Sequence, residues 1–401
     1  MGKWEEKIFD ELKEDNLIGL VRNTKQQSFE FEFDYLKMNN ITNDGNLNLL
    51  SMVKVNASKD ELEKYALQKR DFLFNTRNSV ELVGKTAVYD IESAKPMLFN
   101  NNIMRSRFKK GYDPYFINYQ FKSSEFQERL EKIKSGTTSV AAIYYKSLKN
   151  IKLKFPPLIE QQRIVAKLDG LFAKIDKAIG LLEANILHTQ ALMGSVLDEI
   201  YSDGDIMLKD ACILGPKKSE VRDLDDNLEV SFLPMRDLNE HDINFVPNEI
   251  KKISEVYKGY TYFADGDVVL AKVTPCFENG KAGLAKDLTN GIGFGSSEYH
   301  VLRAKENVLP EWIYFAVLTE QFRVTGKENM TGAGGLKRVP RPFLEEWKIP
   351  VPELSIQKKQ IKRIVQIQEE TKNLESSIQE KLNHLKALKS SLLDQAFKGE
   401  L

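Results

Sequence analysis

The sequence predicts an α+β fold laid down twice: two similar globular domains, each followed by a long helix. Three observations predict it. The stretch "ALMGSVLDEI" at 191–200 returns as "ALKSSLLDQA" at 387–396, close to half of the 401 residues later. The same separation, that between Ala191 and Ala387, also aligns prolines, glycines and turns far upstream. Two segments of about 43 residues carry an apolar stripe at helical spacing, much longer than an ordinary globular helix. The expected boundaries are 1–155 and 203–351 for the globular domains, 156–202 and 352–401 for the helices.

The repeat holds in one frame. Pro156 meets Pro352, Leu158 meets Leu354, Gln161 meets Gln357 and His188 meets His384. Ala191, Leu192, Ser195, Leu197 and Asp198 meet Ala387, Leu388, Ser391, Leu393 and Asp394. Upstream, Leu148 meets Leu344, Gly136 meets Gly332, Phe126 meets Phe322 and Pro114 meets Pro310. Gly84-Lys85 meets Gly280-Lys281, and Asp71 meets Asp267. Earlier still the register drifts by a residue, with Met38 opposite Met235. Two unrelated helices resemble each other by composition, but they do not share a frame of prolines, glycines and turns.

Each globular domain reads as mixed. "EFDYLKM", "DFLFNTR" and "KTAVYDI" predict strands in the first; "EVSFLPM" and "DVVLAKV" predict them in the second. "DPYFINYQFKSSEFQERLEKIKSG" and "LPEWIYFAVLTEQFRVTG" predict helices with proline near the first turn. "KFPPL" and "IPVPEL" stop the chain before each long helix. In the first long helix the stripe runs through Ile164, Leu168, Leu171, Ile175, Ala178, Leu182, Ile186, Thr189, Met193, Val196 and Ile200. Its copy runs through Ile361, Ile364, Ile367, Leu374, Ile378, Leu382, Leu385, Leu388 and Leu392. Steps of mostly fours and threes describe a coiled-coil seam. Two like helices with one stripe each are expected to pair; the alternative is that each lies on its own domain. A parallel pair would put both domains at one end, so an antiparallel coiled coil with pseudo-two-fold symmetry is expected.

Chemistry is sparse. The two cysteines, Cys212 and Cys276, form no CxxC, and the four histidines show no metal spacing. A reducing compartment and cytoplasmic location fit, with no secretory leader in "MGKWEEKIFDELKED" and no apolar run of membrane length. "SVELVGKT" nearly matches a phosphate-cradling loop, but Ser79 replaces its first glycine, and the copy "CFENGKAG" has Ala282 in place of the hydroxyl. A hairpin turn explains the shared Gly-Lys better. No dinucleotide fingerprint, N-P-P-[FYW] or H-E-x-x-H occurs. The triplets Glu11-Leu12-Lys13 and Glu249-Ile250-Lys251 read as surface charge, and "MTGAGG" at 330–335 is weak evidence for an anion nest. The chain is therefore expected to be non-enzymatic, with no metal or cofactor of its own.

What remains is basic and polar. "NTRNS" holds Arg77 and Asn78; "RSRFKKG" holds Arg105, Arg107, Lys109 and Lys110. "KVTP" holds Lys272 and Thr274; "GGLKRVPR" holds Lys337, Arg338 and Arg341. Lys85 and Lys281 at the shared turn join them. Such side chains neutralise phosphates, and Arg, Asn and Thr also read base edges. Net charge is zero, with 58 basic and 58 acidic residues, so the charge balance itself neither supports nor excludes nucleic acid. Two diverged binding domains on rigid helices would make a caliper for two sites on one long ligand. A coiled-coil adaptor that binds only proteins is the alternative.

"PPLIEQQRIVAKLDGLF" with "ALMGSVLDEI", and "PVPELSIQKKQI" with "ALKSSLLDQAFKGEL", resemble the two conserved regions of type I restriction-modification specificity subunits. The globular parts resemble that family's target recognition domains through "RDFLFNTR", "GDVVLAK" and the glycines ahead of "LKNIKLKFPP" and "FLEEWKIPVP". Two departures are Ile356 opposite Glu160, and a short start before the first domain. The resemblance implies a non-catalytic subunit of a restriction system whose domains each read half of a bipartite, asymmetric double-stranded DNA site. It implies antiparallel helices that set the spacing. It further implies two docked methyltransferase subunits, which supply S-adenosylmethionine and DNA methylation, and restriction subunits that join the complex.

Overall fold

A computed structural model describes residues 4–136, 140–240, 242–332 and 335–401. The chain divides into two compact units: Met1–Leu181 with Glu380–Leu401, and Leu182–Gln379. Each unit therefore contains one globular domain, part of the helix that follows it, and part of the other helix.

In the first unit a four-stranded antiparallel sheet has the order 13–18, 103–108, 71–75, 86–89. The strand Asp71–Asn75 is buried along its whole length, as its near-continuous apolar run requires. A second sheet pairs Phe33–Leu36 in parallel with Leu98–Phe99 and antiparallel with Lys54–Val55. The second unit repeats this plan. Its four-stranded sheet has the order 212–214, 299–304, 267–271, 282–284. Glu229–Leu233 runs parallel to Ile292–Gly295 and antiparallel to Glu249–Lys252, and Thr261–Ala264 is added at the edge. Gly84 and Gly280 close equivalent hairpins with φ of 94° and 75°, values that favour glycine, so the Gly-Lys pair is a turn as expected.

The stretch after Pro114 differs from expectation. Instead of one helix it forms two, Pro114–Lys122 and Ser124–Glu131, broken at Ser123 with ψ of 151°. Asp113 caps the first by accepting hydrogen bonds from the Tyr115 and Phe116 amides, with Pro114 in the first turn. The second unit breaks likewise: Pro310–Ala316 is followed by Glu320–Glu328, with Thr319 between them accepting from the Phe322 amide. Thr319 caps the helix after its break, whereas the Ser123 hydroxyl donates back to the Gln120 carbonyl at 2.8 Å at the end of the helix that precedes it.

The long helices span Leu158–Tyr201, 44 residues, and Leu354–Lys398, 45 residues. Gly399, φ 79°, ends the second in a left-handed cap. Within the first unit they run antiparallel: Lys389 pairs with Asp176 at 2.7 Å, and Arg163 donates to the Leu401 carbonyl at 2.7 Å. Ile164, Leu168, Phe172 and Ile175 share a core there with Leu393 and Ala396 and with Phe9, Phe72, Phe116 and Phe121 of the globular part. In the second unit Leu197 and Tyr201 share a core with Ile364, Trp312 and Phe322. The stripe expected from sequence is shifted at both ends. Phe172, Leu197 and Tyr201 are buried, whereas Leu374 and Leu388 are 49% and 45% exposed. The buried face follows the globular domain wherever helix and domain meet, so a single straight seam does not describe it.

Candidate nucleic-acid interface

The sequence-predicted basic residues fall into three groups. The first is structural. Arg105 and Arg107 lie on the strand Ile103–Phe108 at the middle of the sheet, and not on the loop suggested by "RSRFKKG". Arg105 is only 2% exposed and pairs with Asp15; its Nε and Nη1 have no hydrogen-bond partner among the described residues. Arg107 grips the buried Asp71 through Nε–Oδ1 at 2.6 Å and Nη2–Oδ2 at 3.0 Å. Placing Arg105 on a binding loop is thus corrected: a run with three other cations reads as a loop, but alternate residues of a central strand face inward. Lys85 donates to the Ile41 carbonyl, and burial lowers its pKa. Lys281 reaches the Met235 carbonyl at 3.5 Å. Both lysines brace the loop beside their hairpin.

The second group stands apart. Lys109 and Lys110 follow the C-terminal end of the strand 103–108, with Lys109 Nζ donating to the Glu11 carbonyl at 3.0 Å. The strand separates them by about 20 Å from the loop at its other end, at about 3.3 Å per residue. Arg341, exposed, pairs with Glu345 one helical turn away at 2.7 Å.

The third group is brought together on a small hairpin in each unit. In the first, Arg77–Asn78 pairs with Ala141–Ala142, which pairs with Ser135–Gly136. Arg77 is exposed, and its guanidinium has no partner among the described residues. Asn78 Nδ2 donates to Asn75 Oδ1 at 3.0 Å, and the buried Asn75 in turn donates to the carbonyls of Arg77 and Asn102. In the second unit Val273 bridges Arg338, which bridges Thr331. The Thr274 amide donates to the Lys337 carbonyl at 3.0 Å and the Val339 amide to the Lys272 carbonyl at 2.8 Å. Lys272, Thr274, Lys337 and Arg338 therefore share one ladder. Lys337 is exposed without a side-chain partner among the described residues, while Arg338 forks onto Glu298 at 2.8 and 2.7 Å. That bond raises the Arg338 pKa and holds the Glu298 carboxyl below its usual value.

Gly136 and Gly332 close these hairpins with φ of 143° and 138°. A Cβ would lie 2.2 Å from the Val140 carbonyl oxygen and 2.5 Å from that of Leu336, so only glycine fits. The intervening residues 137–139 and 333–334, including part of "MTGAGG", lie outside the described residues. The cation changes side between the copies: Arg77 faces Ala142 in one, and Arg338 faces Val273 in the other. Beside the second hairpin, His300 Nε2 lies 2.9 Å from the Val339 carbonyl, and burial lowers its pKa.

Sequence reasoning missed the anchors at the opposite end of each central sheet from the hairpins. Asp71 and Asp267, 1% and 0% exposed, hold Arg107 and Arg303 in the same bidentate geometry. Gln161 and Gln357 are buried, each accepting from a backbone amide at 2.9 Å and donating to two carbonyls. The signal was available, because Arg107 and Arg303 obey the same separation as Asp71 and Asp267.

Duplicated α+β domains, each with a small hairpin, together with two long helices that run antiparallel within the first unit, define an internally repeated scaffold. The family model of the type I restriction modification DNA specificity domain matches residues 3–183 and again 205–384, and the chain belongs to this family. It is 43% identical over 148 residues to the EcoEI specificity subunit of Escherichia coli and 42% identical over 144 residues to the EcoAI specificity subunit of the same species. These matches take in 37% and 36% of this chain and 24% of each relative. A chain solved in work on complex assembly and conformational transition of the type I R-M system aligns with 100% of this chain and 98% of its own, at TM-score 0.74 and 18% identity. The HsdS subunit of Thermoanaerobacter tengcongensis aligns with 100% of this chain and 97% of its own, at TM-score 0.56 and 18% identity. These two likenesses establish the fold. No helix among the described residues is long and apolar enough to cross a membrane.

Proposed function

We propose that the chain is a non-catalytic specificity subunit that reads a bipartite, asymmetric DNA site, one half with each globular domain. The observation that carries this reading is the pair of equivalent hairpins, each presenting a cation without a side-chain partner among the described residues, Arg77 in one and Lys337 in the other. Family membership of both halves supports it. Asn78, Thr274, Lys272 and Arg338 would supply further polar contacts from the same hairpins, with Arg338 exchanging Glu298 for phosphate or base. Lys109, Lys110 and Arg341 are secondary contacts to backbone phosphate. The long helices set the half-site spacing. Two methyltransferase subunits dock on their outward faces, S-adenosylmethionine belongs to those partners, restriction subunits join them, and the assembly works in the cytoplasm.

Selection from a randomised duplex pool tests the reading: a two-part consensus is expected, and absence of any enriched sequence would leave the protein-only adaptor. Exposed Lys167 and Lys174 test the docking. Reversing both charges is expected to reduce methyltransferase capture in pull-downs while DNA selection persists.

A further inference from the structure

The repeated stretch that reveals the duplication carries an aspartate in each copy, Asp198 and Asp394, near the C-terminal end of each long helix. Neither aspartate makes the hydrogen bond of interest to the globular domain preceding it in sequence. Asp394 Oδ1 accepts from the Ser124 amide at 2.9 Å, at the N-terminus of the helix Ser124–Glu131 in the first unit. Asp198 Oδ1 accepts from the Glu320 amide at 3.1 Å, at the N-terminus of Glu320–Glu328 in the second. The bonds are equivalent under the repeat, and they are crossed: each carboxylate comes from the helix that follows the other domain. A carboxylate here meets an amide that the helix leaves unsatisfied and the positive end of its dipole.

Around each aspartate the packing is also equivalent. Leu393 and Ala396 are buried in the core that contains Phe126, and Leu197 and Tyr201 in the core that contains Phe322. At its other side each domain is held by its own helix. Gln161 bonds the Asp113 amide and the Gly111 carbonyl, and Gln357 bonds the Leu309 amide and the Asn307 carbonyl. Each domain is thus held by both helices, through these bonds and the shared apolar core. The directional bonds set the angle at which the packed surfaces meet.

We propose that Asp198 and Asp394 are positioning residues for recognition. Asp394 fixes the angle at which the first domain meets its half-site, and Asp198 does the same for the second. This rests on the DNA-reading function above. It assigns to the C-terminal end of each long helix a role in the half-site read by the domain other than the one that precedes it in sequence.

The experiment is selection from a randomised duplex pool with the full chain, its D198A and D394A variants, and a chimaera with residues 1–155 replaced, which identifies the first domain's half-site. D394A is expected to relax base preference in that half by roughly tenfold, the loss that one hydrogen bond to a charged acceptor would give. D198A is expected to relax the other half alone. Uncrossed effects, or full discrimination in both variants, would overturn the proposal. D198N and D394N keep an acceptor oxygen and are expected to recover most of the preference, also where an alanine variant folds poorly by circular dichroism. Asparagine variants as defective as alanine in a folded chain would also overturn it. An unsubstituted chain that selects no sequence would instead defeat the DNA-reading function, and the two failures are therefore distinct.

Discussion

At the residue scale, arginines that look alike in sequence have opposite roles. Arg77 is exposed and unpaired among the described residues, while Arg107 neutralises a carboxylate that is 1% exposed. Arg107→Ala should destabilise its unit by about 3–5 kcal/mol, because it strands a buried charge, and Arg303→Ala should do the same to the other. Chemical denaturation measures both. Arg77→Ala should leave stability unchanged. It should either flatten the salt dependence of DNA binding by about one unit or relax one base position at about 1–3 kcal/mol. His300 adds a pH dependence. Above about pH 6.5 the imidazole is neutral folded and unfolded; below it the unfolded chain binds the proton first, so the second unit loses stability as pH falls. Melting at pH 7.5 and 5.5 should show a drop that His300→Gln reduces. Glycines 136 and 332 were legible because their place in the repeat was shared; Arg105 was not, since a charged tetrad conceals a strand.

At the element scale, the strands at 33–36, 71–75, 86–89, 229–233 and 267–271 were legible from their apolar runs, and the long helices from their period, whereas others such as Ile103–Phe108 were not. The helix breaks at Ser123 and Thr319 were not. Apolar spacing continues across each break, and the cause is capping by a hydroxyl and a carboxylate remote in sequence. Leu374 and Leu388 show the same limit, because period reports a stripe but not which neighbour covers it. The helices of 44 and 45 residues extend about 65 Å at about 1.5 Å per residue. If they are the ruler, inserting four residues after Glu183 and after Gln379 should lengthen the preferred spacer by about one or two base pairs. Selection with spacer libraries measures it, and an unchanged spacer in a folded variant would exclude the helices as the ruler.

At the scale of the whole molecule, the proposed reading of one half-site by each duplicated domain predicts modular recognition. Replacing residues 1–155 with the corresponding part of another family member should change one half of the target and leave the other. A chimaera altered in both halves would contradict independent reading. Modularity of reading does not extend to the order of manufacture. The second unit is one unbroken stretch, Leu182–Gln379, whereas the first waits for Glu380–Leu401. A ribosome therefore delivers every part of the second unit before the first receives Leu393 and Ala396, which complete its core. A chain stopped after Gln379 should expose residues 4–181 to protease while 182–379 stays resistant, so the domain synthesised first would be the last to close.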